Sequence, residues 1–218
     1  MDNYKKNLKL LTENHVYSKD MEHDACGVGV IASTEGKKSR EIVEYGIEAL
    51  KAVWHRGAVD ADGKTGDGAG IHVEIPKDFF IEKIEVTGHD YDNSEICVGM
   101  IFLPRNDYSS QESCKTIVES ELTKNDFSIY GWRQVPVNPK ILGEKAFQTM
   151  PEIIQVLFKS NDPNLIDKNL ERKIYETRKK IENKAFELSL NNFYICSISS
   201  KSIIYKGLYL AEAISDFY

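Results

Sequence analysis

The chain has 218 residues, 41% of them hydrophobic and 28% charged, with a net charge of −6; this fits one large or two small globular domains with a true hydrophobic core. The acidic balance argues against a nucleic-acid surface, which needs clustered Lys and Arg, and no stretch approaches the ~20 apolar residues of a membrane span. Leu8, Leu10 and Leu11 are too few and too interrupted for a secretory signal, so the expected compartment is the cytoplasm.

Residues 1–25 are polar, lack steady periodicity and read as a leader that packs loosely or is removed. Gly27 to Ser33 reads as a buried strand, closed by the turn Thr34-Glu35-Gly36-Lys37. Ser39 is placed to cap a helix with Glu41 in its first turn. Val43, Ile47, Leu50 and Trp54 fall on one face of that helix, which is predicted to run to about His55. Arg56 to Gly68 is then a long Gly/Asp loop, and loops of that length in compact domains are usually functional.

Ala69 to Ile75 is a strand ended by Pro76, Lys77 to Ile84 a short helix, His89 to Ser94 a polar turn, and Ile96 to Leu103 a strand. Ser110 opens a helix with Cys114, Ile117, Val118 and Leu122 in phase. Phe127 to Val137 reads as extended, with Phe127, Ile129 and Gly131 alternating with Tyr130 and Trp132, and Ile153 to Phe158 reads as a strand. Leu170, Ile174, Ile181, Ala185 and Leu188 trace one stripe of a long helix. Phe193 to Ile198 and Ile203 to Tyr205 form an expected hairpin about Ser199 to Ser202, and a helix starts at Leu208. Strands that outnumber β-α-β alternation favour antiparallel sheets in a mixed α and β fold over a doubly wound parallel one. The basic run Arg172 to Lys184 is broken by Glu176 and Glu182, which makes it a solvated helix face.

Two glycine patterns resemble nucleotide signatures and are discounted. Gly27-Val28-Gly29-Val30-Ile31-Ala32 fits G-x-G-x-x-A but lacks a strand before it and a helix after it. Gly63-Lys64-Thr65 resembles the end of a P-loop, but the first glycine of that motif would fall on Ala58. None of the four cysteines pairs as C-x-x-C and no histidine stands at zinc-finger spacing, so no metal site is expected. Cys97, Cys114 and Cys196 lie in apolar runs and read as buried structural thiols. His55 and Arg56, at the helix–loop junction, have two readings. They complement the helix C-terminus and tie down loop oxygens, or they face a substrate. Cys26, between Ala25 and Gly27, also has two: a buried thiol, or a nucleophile exposed by cleavage after Ala25. A free α-amine has a pKa of about 7.7–8.0 and can take the thiol proton in place of a histidine.

The runs Cys26 to Gly29, Ala52 to Gly70, Ile129 to Val137, Phe193 to Ser197 and Ser202 to Gly207 together resemble the start of the glutamate synthase large subunits, most closely the bacterial NADPH-linked type. The resemblance extends from Glu22 to Tyr218. It implies a class II glutamine amidotransferase (glutaminase) domain over residues 26–218, behind a propeptide of residues 1–25. The implied fold is α+β, the N-terminal-nucleophile hydrolase fold, a four-layer αββα sandwich with antiparallel sheets, incomplete at its C-terminal end. The implied catalytic residue is Cys26, attacking L-glutamine. His55, Arg56, Gly57 and Asp67 are the loop candidates for lining or supporting the substrate site. No cofactor is expected within these residues; FMN and an iron–sulfur cluster belong to further domains of the large subunit, which works with a small NADPH-oxidising subunit.

The family's Arg-[Phe/Tyr]-Ser-Thr-Asn segment and its Asn-Gly pair, which hold substrate and oxyanion, do not occur in this sequence. The 218 residues by themselves are therefore expected to be inactive, and a non-catalytic fragment is the alternative reading. Other class II amidotransferases, such as asparagine synthetase or glucosamine-phosphate synthase, share Cys-Gly and His-Arg-Gly but not the long Asp-Gly loop.

Overall fold

A computed structural model describes residues 2–14, 27–53 and 57–218. Cys26, Trp54, His55 and Arg56 lie outside the described residues, as do residues 1 and 15–25 of the leader. The elements in chain order are α1 (Asp2–Glu13), α2 (Arg40–Ala52), β1 (Ala69–Glu74), α3 (Lys77–Val86), β2 (Cys97–Leu103), α4 (Tyr108–Lys124), β3 (Phe127–Gln134), α5 (Glu144–Thr149), β4 (Glu152–Ser160), α6 (Asp167–Glu187), β5 (Tyr194–Ser199), β6 (Ser202–Gly207) and α7 (Ile214–Phe217), with short 3₁₀ turns at Pro139–Ile141 and Ala211–Ala213.

Two sheets form, both antiparallel. One has four strands in the order β3-β4-β2-β5 and the other pairs β1 with β6. The fold class is α+β. Because strand side chains alternate between faces, β2 supplies both cores. Cys97, Ile101 and Leu103 pack with Val156 and Phe158 of β4 against Ile117 and Leu122 of α4 and Ile174 and Ile181 of α6. Val98 and Met100 point the other way, into a second core with Leu157, Cys196, Ile203 and the α3 residues Phe80 and Ile84. Helix α2 begins at its Ser39 cap, whose hydroxyl accepts from Ile42 N at 3.4 Å. Its half-buried Ile47 and Leu50 pack against the second core.

Several expectations are corrected. Gly27 to Ser33 is not a strand. Val28 and Val30 are 92% and 87% exposed, and no β-pairing involves this run among the described residues. A branched-residue run becomes a strand only when a neighbour takes up its backbone groups. Residues 2–13, read as aperiodic, form an exposed helix. Helix α2 stops at Ala52 rather than near His55. Helix α4 starts before Ser110, because Asp107 is its cap: the carboxylate accepts from Ser110 N at 3.0 Å and Ser110 Oγ at 2.6 Å. On α6 the stripe holds through Leu170, Ile174, Thr177, Ile181 and Ala185, but Leu188 falls past the helix end and is 59% exposed. Beyond β6 the chain turns at Leu208 and becomes α-helical only at Ile214.

Two corrections change the architecture. In β3 the pairing with β4 slips between Ile129 and Gly131, leaving Tyr130 as the extra residue of a bulge. The alternation is reset, so Trp132 joins Phe127 and Ile129 on the α4 side instead of following Tyr130. Trp132 Nε1 donates to Glu119 of α4 at 2.6 Å.

The expected β5–β6 hairpin is not one, because the two strands belong to different sheets. The four residues Ser199-Ser200-Lys201-Ser202 carry the chain across. Glu171 of α6 accepts from Ser199 Oγ at 2.9 Å and from Ser200 N and Ser200 Oγ at 2.7 Å each. Ser199 Oγ in turn accepts from Lys201 N at 2.9 Å. Side chains thus satisfy the donors that a hairpin would pair through backbone. β5 and β6 still meet across the layers: Ser197 Oγ accepts from Ile204 N at 3.1 Å.

Candidate functional site

Of the five candidate residues, the structure describes Gly57 and Asp67; Cys26, His55 and Arg56 fall outside the described residues. Gly57 and Asp67 sit at opposite ends of the Gly/Asp loop and are both exposed. The loop folds back on itself through an isolated antiparallel bridge between Val59 and Gly66. Asp60 N donates to Thr65 O at 2.8 Å, and Asp67 N to Ala58 O at 3.3 Å. The bridge brings the residue after Gly57 against Asp67, so the ends of the loop stand together.

The floor of the loop is a polar turn that the sequence reading did not single out. Asp62 Oδ1 accepts from Lys64 N at 2.9 Å and Thr65 N at 2.7 Å, and Asp62 Oδ2 from Thr65 Oγ1 at 2.6 Å. These donors, the Thr65 hydroxyl first, hold the Asp62 carboxyl well below the usual carboxylate range. Thr65 is 5% exposed and its Oγ1 accepts from Ala146 N, in the first turn of α5, at 3.3 Å. Helix α5 starts at Gly143 with no side-chain cap of its own. The loop supplies one instead, and it satisfies a backbone donor that a helix start leaves open.

Gly143 has to be glycine for this contact. A Cβ there would overlap Asp62 Oδ2 and Thr65 Oγ1, and lie 2.6 Å from Thr65 N. Gly66 is pressed the same way onto the 207–210 segment: a Cβ there would lie 2.6 Å from Tyr209 O. At the surface, Lys145 Nζ donates to Asp60 Oδ2 at 2.7 Å. Hydrogen bonding to Lys145, then to Ala61 N and the Lys145 charge, lowers the Asp60 pKa; an exposed pair of this kind contributes little to stability.

The other thiols are not nucleophile candidates. Cys97 and Cys114 are wholly buried and Cys196 nearly so. Burial pushes all three up, Cys114 and Cys196 to about 11 and Cys97 further. They are expected to resist iodoacetamide in the folded protein at pH 8 and to react once urea unfolds it. Below the unfolded thiol pKa of about 8.5 both states keep the proton and stability is unaffected. As pH rises from there toward 11 the unfolded chain ionises first, so stability is lost across that window. The check is a urea midpoint that falls over that range, and less steeply in Cys196→Ala.

Among the described residues no cluster of three or more His, Cys, Asp or Glu is disposed to hold a metal ion, and no helix is long and apolar enough to cross a membrane. A recess of about 430 Å³ opens between the start of α4 and the edge of β3, near Arg105, Lys115 and Trp132, and contains none of the candidate residues.

Comparison with known proteins adds what this geometry lacks. Residues 26–218 match the family model of the class-II glutamine amidotransferases. The chain is 51% identical over 215 residues to the glutamate synthase [NADPH] large chain of Azospirillum brasilense, covering 99% of this chain and 14% of that protein. It is 40% identical over 199 residues to ferredoxin-dependent glutamate synthase 1 of Arabidopsis thaliana, covering 90% of this chain and 12% of that protein. It is 37% identical over 217 residues to the ferredoxin-dependent glutamate synthase of Pyropia yezoensis, with coverages of 96% and 14%. The chain thus spans about a seventh of the length of these relatives.

Proposed function

The chain belongs to the class II glutamine amidotransferases, and from that membership we propose that it forms the N-terminal, glutaminase part of a glutamate synthase large subunit with Cys26 as its nucleophile. The observation that carries this reading is that the family match opens on Cys26 itself. We assign residues 1–25 to a propeptide and residues 26–218 to the amidotransferase domain. The finer architecture we assign is the αββα four-layer sandwich of N-terminal-nucleophile hydrolases. The two antiparallel sheets, with α2 on one and α4 and α6 on the other, support it.

Once Ala25 is cut away, the free amine of Cys26 takes the thiol proton and the thiolate attacks the side-chain amide carbon of L-glutamine. The proton passes to the leaving nitrogen, ammonia departs, and a γ-glutamyl thioester remains. Water then hydrolyses the thioester, releasing glutamate and restoring the thiol. His55, Arg56, Gly57 and Asp67 are assigned to the loop bordering this chemistry. The 218 residues hold no Asn-Gly dipeptide to serve as the family's oxyanion donor, and one such donor is worth ~10²–10³ in rate; we therefore assign the complete reaction to a longer polypeptide. Its further domains would pass the ammonia to 2-oxoglutarate, and a small NADPH-oxidising subunit and a cytoplasmic setting complete the proposal.

The described residues do not fit an iron–sulfur cluster, because their three thiols are buried on separate elements with no group of three ligands among them. We assign FMN and the cluster to the further domains, as the resemblance to glutamate synthase large subunits implies.

The test uses the full-length polypeptide, assayed for ammonia release from L-glutamine while the mass of its N-terminal peptide is measured. The expected result is hydrolysis by a protein that begins at Cys26. Undiminished hydrolysis with residues 1–25 retained overturns the N-terminal nucleophile.

A further inference from the structure

We propose that the cap which Asp62 and Thr65 place on α5 holds the 57–68 loop in the shape that receives glutamine, making both of them positioning residues; this rests on the reading that the loop borders the glutamine site. Three observations converge on the cap. The loop's buried points are Thr65 and Gly66, while Gly57, Lys64 and Asp67 remain exposed. Thr65 Oγ1 is shared between Asp62 Oδ2, to which it donates, and Ala146 N, from which it accepts. Gly143 and Gly66 bring α5 and the Tyr209 backbone against the loop more closely than any side chain allows. The loop is thereby seated on its inner side and free on its outer side. The exposed ends, which continue into His55-Arg56 and into β1, are the part left to face a ligand.

A seat of this kind acts on binding rather than on the bond-breaking step. Without it the loop samples other shapes, and glutamine must select the competent fraction, which lowers apparent affinity by that fraction. A role confined to the stability of α5 predicts something else: fewer folded molecules, hence a lower kcat at unchanged KM.

The experiment compares Thr65→Val, Thr65→Ser and Asp62→Asn in the full-length polypeptide. L-glutamine is the probe, with amide hydrogen exchange over residues 57–68 and 143–149. Thr65→Val is expected to lose the protection of the loop amides and to raise KM for L-glutamine about tenfold with kcat within about twofold, the scale of losing the two hydrogen bonds of that hydroxyl. Thr65→Ser, which keeps the hydroxyl, is expected to restore both. Asp62→Asn keeps the shape and one acceptor, and is expected to raise KM about threefold. Retained loop protection in Thr65→Val overturns the seat. Lost protection with unchanged KM, or a fall in kcat alone, overturns its role in binding. A wild-type polypeptide that does not hydrolyse L-glutamine overturns the glutaminase reading and this inference with it, whatever the exchange data show.

Discussion

Replacing Cys26 with alanine in the full-length polypeptide is expected to abolish glutamine-dependent turnover and to leave ammonia-dependent turnover intact. The thioester cannot form without the sulfur, and the route that remains is direct attack by water on an unactivated amide. Removing the nucleophile of an acyl-transfer site costs on the order of 10⁴-fold or more in rate. Added ammonia enters downstream of the missing step, so its use reports on the health of the rest of the protein. A Cys26→Ala protein that retains more than about a hundredth of wild-type glutamine turnover would remove Cys26 from the mechanism. A parallel loss of the ammonia-dependent activity would show damage to the fold instead. The three buried thiols do not offer a substitute nucleophile, because burial keeps them protonated at neutral pH.

The largest stability effect is expected at Phe158. Its ring is wholly buried on the helix-facing side of β4, edge-on to Phe127 with centroids 5.3 Å apart. β4 is an interior strand, paired with β2 on one side and β3 on the other, so its neighbours cannot close in on a void. Phe158→Ala is expected to cost about 3–5 kcal/mol, through lost burial and the cavity left behind. That is a large share of a typical ~5–15 kcal/mol total. The check is urea unfolding, read as a lower midpoint at an unchanged slope. Leu188→Ala is the control. Leu188 is equally apolar and was expected on the α6 stripe, but it is 59% exposed and should cost no more than about 0.5 kcal/mol. Similar losses at both positions would contradict the core described above.

Much of this architecture was legible in the sequence, in places with a common physical character. The apolar runs Ile96 to Leu103 and Ile153 to Phe158 and the stripe from Leu170 to Ala185 were readable because each element carries its burial pattern in its own residues. The Ser39 cap was readable for the same reason, since donor and acceptor lie three residues apart. The Gly/Asp loop was visible as a loop, and the resemblance of its residues, together with the run at Cys26, carried the chemistry. What was misread depended on a partner. Gly27 to Ser33 has the composition of a strand and no paired neighbour among the described residues. The alternation in β3 is broken by a bulge that only its register against β4 reveals.

By itself the sequence determined the class of fold, helices α2, α3, α4 and α6, the central strands, the family of the chain and the candidate nucleophile, because periodicity, caps and motifs are properties of neighbouring residues. Only the tertiary structure decided that β6 leaves the sheet of β5. That crossing is held by Glu171, 28 and 29 residues before the serines it binds. Only the tertiary structure decided that the Gly/Asp loop is seated, because the threonine that caps α5 stands 81 residues before the backbone it serves. Hydrogen bonds of that span leave no period in the sequence. They form when packing brings two surfaces together and each leaves a donor or acceptor that water can no longer reach.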